Sequence, residues 1–332
     1  MIERRQLGNS SLQVSSIALG FWGIVGGDYW GPQAESDTIN TVHSALDAGI
    51  NFFDTAEGYG NGYSEQMLGR ALKGRRSEAI IATKVSRNNL APKAIRAACE
   101  RSLERLDTEY IDLYQVHWPN HGLSFEDSMD TLLALQSEGK IRVIGVSNFG
   151  RLDMPDMLGY GRYESNQLPY SLLWRAIEFD IQPQCVEHNI SILPYSPLNQ
   201  ALLTGRYRHA DEMPFSRTRT RHFRGDRQDS RHGTDGFEKE VFETIDAIRQ
   251  ICADIQESMV HVALAWLLHK PAVTSVLAGA RSPAQIESNR MAGDLSLSAE
   301  TMQRLDAVTD GLKKKLGPQP DMWLTGADSR YR

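Results

Sequence analysis

Cysteine is scarce in this chain, with three (Cys99, Cys185 and Cys252) in 332 residues. An odd number at wide spacing excludes a disulfide framework, and none of the three has the spacing of a zinc site. Each reads as a small buried hydrophobe, and the chain as one kept in a reducing compartment, the cytoplasm. No apolar run approaches the ~18 residues of a membrane span, so no membrane partner is expected. The N-terminal MIERRQLGNSSLQVSS lacks the apolar centre of a secretory signal. Basic residues do not predominate either. Thirty-six Lys and Arg against 42 Asp and Glu leave a formal charge of −6, which argues against nucleic acid as a partner. No GxGxxG stretch occurs, so a Rossmann-type dinucleotide site is a poor reading. The nine histidines include no His-x-His pair, which leaves a metal-dependent hydrolase on a barrel without its ligands, and no metal is expected. Internal repeats and low-complexity segments are absent.

What the chain does contain is a regular alternation. With 41% hydrophobic and 23% charged residues it has an ample core. Strand-like apolar runs cover 17–20, 50–54, 79–84, 111–117 and 143–147, then a region ending at Gln167, then 190–195 and 274–278. Helical patterns separate them. Eight strands alternating with helices predict one α/β domain over residues 1–332, a (β/α)8 TIM barrel. Near-continuous apolar strands fit a sheet covered by helices on its outer face. Ser36-Asp37 is expected to cap a helix stopped by Gly49, Pro92 to open another, and Ser124 to cap a third ending at Gly139. The longest of the helices between strands is expected from about Phe237, with Val241, Ile245, Ile248, Cys252 and Ile255 on one face. Residues 2–15 suggest a hairpin around Gly8-Asn9 closing the barrel floor, and an extra amphipathic helix follows Ser298. Eight arginines crowd between Arg206 and Arg231. That segment, to about residue 236, is too long for an ordinary connection and reads as a loop over the barrel mouth or a mobile segment.

Barrel enzymes place their chemistry at the C-terminal ends of the strands. Those positions hold Asp54 with nearby Tyr59 after the second strand, Lys84 on the third and His117 on the fourth. Each alone has an ordinary explanation, as an ion-paired or structural side chain. Together they form a coherent acid/base set. A phenol with a pKa of about 10 is a poor proton donor near neutrality. A neighbouring ammonium is expected to lower that value, with a carboxylate orienting the ammonium. A histidine beside them suits hydrogen bonding to a carbonyl oxygen, and the set suits hydride transfer from a cofactor.

The segments FFDTAEGYGNGYSEQMLGRAL, ATKV, YIDLYQVHWP, GKIRVIGVSNF and YSPL resemble the aldo-keto reductase family, in order and at family spacing, from Leu7 to about Asn289. The resemblance implies a catalytic tetrad of Asp54, Tyr59, Lys84 and His117, with Tyr59 as general acid. It also implies NADP(H) as cofactor. Ser147, Asn148 and Gln167 correspond to residues on the nicotinamide carboxamide, and Tyr195 to a ring stacked on the nicotinamide. Ser196, Pro197, Leu198 and Arg206 match the pyrophosphate and ribose region, and Gly279, Arg281, Gln285 and Asn289 the adenosine end. Ser288 departs from the glutamate that many relatives carry near the adenine. Trp22, Asp54, Tyr59, His117 and Trp118 are expected to border cofactor or substrate, a small carbonyl or alcohol. Arg281 reads either as a solvated surface arginine or as the partner of a 2′-phosphate. A cofactor-binding sensor similar to potassium-channel β subunits is the alternative function. Those proteins commonly lack the histidine corresponding to His117, whose presence favours catalysis. Oligomeric state is not legible.

Overall fold

The molecule, a computed structural model, is described over residues 2–26 and 30–332. A short antiparallel hairpin, β1 (Arg4–Gln6) and β2 (Gln13–Ser15), precedes eight parallel strands. These are β3 (Ile17–Gly20), β4 (Phe52–Asp54), β5 (Ile80–Val85), β6 (Ile111–Val116), β7 (Ile141–Ser147), β8 (Ser165–Pro169), β9 (Ser191–Tyr195) and β10 (Val276–Gly279). They pair in the order β10-β3-β4-β5-β6-β7-β8-β9. The barrel closes where Ile192 donates to Ala272 O at 2.7 Å and accepts at its own carbonyl from Thr274 N at 3.1 Å. This is the expected (β/α)8 barrel, and every expected strand falls where the apolar runs lie.

Period-two alternation divides each strand between an outer face under the helices and an inner face. The lower inner face is a separate apolar cluster of Ala18, Phe52, Ala82, Leu113, Val143, Leu193 and Leu277. Leu7, Leu12 and Val14 of the hairpin join it from below, so the hairpin plugs the floor as expected. The interior is tight. A Cβ on Gly145 would lie 2.6 Å from Ser165 Oγ and 2.9 Å from Leu113 Cδ1, so only glycine fits that inward position.

The helices α1 (Glu35–Asp47), α2 (Tyr63–Ala71), α3 (Pro92–Leu106), α4 (Phe125–Ser137), α5 (Asp153–Leu158), α6 (Ile181–Glu187), α7 (Glu238–Asp254), α8 (Met259–Leu268), α9 (Pro283–Asp294) and α10 (Ala299–Leu316) fill the connections or follow the last strand. Ser124 caps α4 by accepting from Asp127 N, and Ser298 caps α10 by accepting from Thr301 N. One expectation needs correction, and one helix has no counterpart in the sequence reading. α1 starts one residue before Ser36, with Ala34 at its cap and no side-chain cap bond. Burial of Thr38, Val42, Ala45 and Leu46 sets its start, and Asp37 lies in the first turn, where a carboxylate offsets the helix dipole. The helix expected from about Phe237 is α7, with 17 residues, and α10 after the last strand has 18. Finally α8, MVHVALAWLL, was not anticipated. Eight of its ten residues are buried, and a helix apolar on nearly every side has no periodicity to read.

Candidate active site

The strand register brings the upper inner face together. Asp54 on β4 lies level with Gly20 and Ala82, Lys84 with Gln115, and Ser147 with Gln167. All sit an even number of residues above an apolar inner position of their own strand or its neighbour, so the same alternation that buries Phe52 and Ala82 aims Asp54 and Lys84 inward.

At the centre, Lys84 is wholly buried. Its Nζ donates to Asp54 Oδ1 at 2.7 Å, to Thr55 O at 2.8 Å and to the Tyr59 hydroxyl at 3.4 Å. Asp54 Oδ2 accepts from Gln167 Nε2 at 2.8 Å and Gln115 Nε2 at 3.3 Å. The carboxylate is thus held by one ammonium and two amides. Burial alone would depress the Lys84 pKa, but Asp54 and then Tyr59 outweigh it and the value lies above the ordinary one. The ammonium stays charged. Burial raises the Tyr59 phenol, Lys84 opposes that rise, and Asp54 adds to it, so the net shift is upward. The expected lowering of the phenol is not found, because removal of water from the hydroxyl outweighs an ammonium that Asp54 engages more closely. The His117 ring lies edge-on to Tyr59, with centroids 5.7 Å apart and planes at 77°. Burial, then the charges of Lys84 and Arg330, push His117 down to about 3, so its imidazole is neutral near pH 7.

Asp54, Tyr59 and His117 border a cavity of about 680 Å³. Of the sequence-predicted residues, Trp22, Asp54, Tyr59, His117, Trp118, Ser147, Asn148, Gln167, Tyr195, Ser196, Pro197, Leu198, Arg206, Gly279, Arg281 and Gln285 all line it. Lys84 lies beneath its floor. Asn289 is buried behind its wall, donating to Gly279 O at 3.4 Å, and Ser288 Oγ is 3.2 Å from His261 Nε2. Among the described residues, six arginines line the cavity (206, 217, 219, 231, 281 and 330) against two aspartates, 54 and 229. A basic cleft with aromatic side chains in its lining fits a dinucleotide, whose charge is spread over its phosphates. The chain passing under that region is in the left-handed conformation at Ser196, Asn199, Gln200 and Ala201. Strained backbone of this kind clusters at ligand sites.

Two contributors lie outside the strand ends. Arg217, Arg219, Asp229 and Arg231 of the Arg-rich loop reach the cavity. That loop is anchored by His222, wholly buried, whose Nε2 lies 3.0 Å from Leu173 O. It is also anchored by Arg221, which donates to the carbonyls of Leu316, Gln319 and Asp321. Not all of its arginines are solvated charges. The second contributor is the segment after α10, which sequence reasoning missed. Trp323, Leu324 and Arg330 line the cavity. The Arg330 guanidinium lies 3.5 Å from the Trp118 ring centroid and grips buried Asp321 through Nε and Nη2 at 3.0 and 2.8 Å. The Tyr331 hydroxyl donates to Asn148 Oδ1 at 2.7 Å, beside the Tyr195 hydroxyl at 2.9 Å. The signal available was the aromatic and charged character of DMWLTGADSRYR.

The Aldo/keto reductase family profile matches residues 16–310. The aldo-keto reductase YhdN of Bacillus subtilis is 34% identical to this chain, covering 96% of it and 97% of YhdN. An NADH-specific methylglyoxal reductase of Escherichia coli is 32% identical over 93% of this chain and 98% of its own. Among solved structures, the glycerol dehydrogenase AKR11B4 from Gluconobacter oxydans superposes with a TM-score of 0.80 at 30% identity, covering 98% and 99% of the two chains. A Klebsiella pneumoniae aldo-keto reductase in complex with NADPH superposes at 0.75 with 26% identity, covering 98% of this chain and all of that one (100%).

Proposed function

Because this chain belongs to the aldo/keto reductase family, we propose that it reduces a small aldehyde or ketone to the alcohol, reversibly, with NADPH as cofactor and Tyr59 as general acid. The observation that carries the reading is the Asp54–Lys84–Tyr59 chain of contacts, 2.7 and 3.4 Å long, ending at the hydroxyl of a ring that packs edge-on to His117.

The cofactor supplies the hydride when bound. The protein's own groups supply the proton and the orientation. Tyr59, protonated near neutrality, donates to the carbonyl oxygen as charge develops there. Lys84 then faces a phenolate and stabilises it, and Asp54 keeps the ammonium in place. Neutral His117 offers one ring N–H to the same oxygen, which orients the carbonyl without competing for the Tyr59 proton. In oxidation Tyr59 takes the proton back. The nicotinamide is assigned to Ser147, Asn148, Gln167 and Tyr195, with Trp22 at its edge. The phosphates go to Ser196, Pro197, Leu198 and Arg206, and the adenosine end to Gly279, Arg281, Gln285 and Asn289. NADPH is favoured over NADH mainly through Arg281, at the adenosine end of the cleft, where a 2′-phosphate would lie. Trp22, Trp118 and Trp323 give the substrate end aromatic walls, and the relatives named for methylglyoxal and glycerol point to small oxygenated substrates. Three free, buried cysteines fit a reducing cytoplasm. Among the described residues no single helix is long and apolar enough to cross a membrane.

The test is Tyr59→Phe, assayed on a panel of small aldehydes, ketones and polyols with NADPH and NADH. Turnover should fall at least ~100-fold, the usual worth of positioned acid catalysis, with cofactor affinity within a few-fold of wild type. A variant retaining more than about a tenth of wild-type turnover refutes the assignment.

A further inference from the structure

Arg281 is not a free cation at the cavity wall. All three of its guanidinium nitrogens turn towards the segment leading into α1. Nε donates to Gln33 Oε1 at 2.8 Å, and Nη1 donates to Trp30 O. Nη2 donates to Gly31 O at 3.1 Å and to Pro32 O at 2.6 Å. Gln33 answers by donating its Nε2 to Arg281 O at 3.1 Å, which makes a reciprocal clasp between two segments 248 residues apart. A guanidinium binds phosphate through a pair of parallel N–H donors. Each such pair of Arg281 already includes nitrogens bonded to residues 30–33, so no edge of the fork can receive a phosphate until part of the clasp opens.

We infer that Gln33 is a positioning residue that sets cofactor choice by holding Arg281 away from a 2′-phosphate. The inference rests on the cofactor reading above and deepens it. A 2′-phosphorylated nucleotide must win the guanidinium from Gln33 and the carbonyls of residues 30–32, whereas a nucleotide without that phosphate leaves the clasp closed. Selectivity is then the difference between two sets of bonds to one guanidinium, and Gln33 can shift it without touching the ligand. The same exchange reaches the cavity wall. Trp30 lies edge-on to Trp22 with centroids 5.2 Å apart, and the Arg217 guanidinium lies 5.5 Å from the Trp30 ring. Opening the clasp therefore loosens a piece of wall shared by three loops.

The probes are adenosine 2′,5′-bisphosphate and 5′-AMP, titrated calorimetrically into the full-length protein, so that no turnover is involved. Gln33→Ala should tighten the bisphosphate by about threefold to tenfold, the net worth of one ordinary hydrogen bond, and leave AMP unchanged. Arg281→Ala should weaken the bisphosphate about tenfold or more, again sparing AMP. Hydrogen exchange at the amides of residues 30–35 should rise with the bisphosphate and not with AMP. Gln33→Ala weakening the bisphosphate, or shifting both ligands equally, overturns the inference, as does exchange that falls with the bisphosphate. Wild-type protein that binds neither nucleotide would refute the cofactor reading itself, and the inference with it. Arg281→Ala without effect on a bisphosphate that does bind would overturn the inference alone.

Discussion

Lys84→Met tests the centre of the site through stability as well as rate. Lys84 is wholly buried and Asp54 is 3% exposed. Methionine keeps the aliphatic stem but removes the charge. Asp54 then retains only the two glutamine donors at 2.8 and 3.3 Å, and Thr55 O loses its 2.8 Å partner. Stranding one member of a buried ion pair costs about 3–5 kcal/mol. An unfolding entropy of roughly 2.1 cal/mol/K per residue gives roughly 0.7 kcal/mol/K for a chain of 332 residues. The melting temperature should therefore fall by about 4–7 °C in calorimetry or circular dichroism. The double variant Asp54→Asn/Lys84→Met removes the stranded charge and should recover at least half of that loss while regaining no carbonyl reduction. Stability restored without activity separates the packing of the pair from its chemistry. A single variant melting within 1 °C or so of wild type would refute the claim that the pair is held desolvated, as would a double variant less stable than the single.

Two further outcomes are expected. Burial lowers His222 to about 4, its folded value lying below the unfolded one, so its contribution to stability is intact above pH 6.5 and is lost as pH falls towards 4. One such group removes about 2 kcal/mol between pH 7 and pH 5; urea titrations of wild type and His222→Gln should differ by that slope, and parallel pH profiles would exclude it. In the Arg-rich loop, tryptic cleavage after Arg217, Arg219 and Arg231, which face the cavity, should slow several-fold with saturating NADPH. Arg221 and Arg227, tied to backbone carbonyls and to Glu238, should resist with or without cofactor, and an unchanged rate at the three cavity arginines would mark the loop as ordinary surface.

Much of this molecule was legible in one dimension because a barrel strand alternates. In Phe52-Phe53-Asp54 and Ala82-Thr83-Lys84 the residue two places above an inward apolar side chain must also point inward. The same order places Asp54 and Lys84 on one rim with Ser147 and Gln167, whereas Gln115 joins them through the strand register. Where local pattern carries no phase, reading fails. Helix α8 is apolar on almost every side and offers no stripe to read.

By itself, then, the sequence determined the eight-strand alternation, the hairpin plug and the residue types crowded at the mouth, since each depends on spacings of two to four residues. Tertiary structure alone decided that Tyr331 reaches Asn148 across 183 residues of chain, that Arg330 covers Trp118, and that Arg281 is clasped by Gln33. No periodicity encodes contacts between segments so distant. It also decided the sign of the Tyr59 shift. The nearby ammonium was visible in the sequence, but the water excluded around the hydroxyl depends on which loops and which tail close over the barrel, and that exclusion is the larger effect.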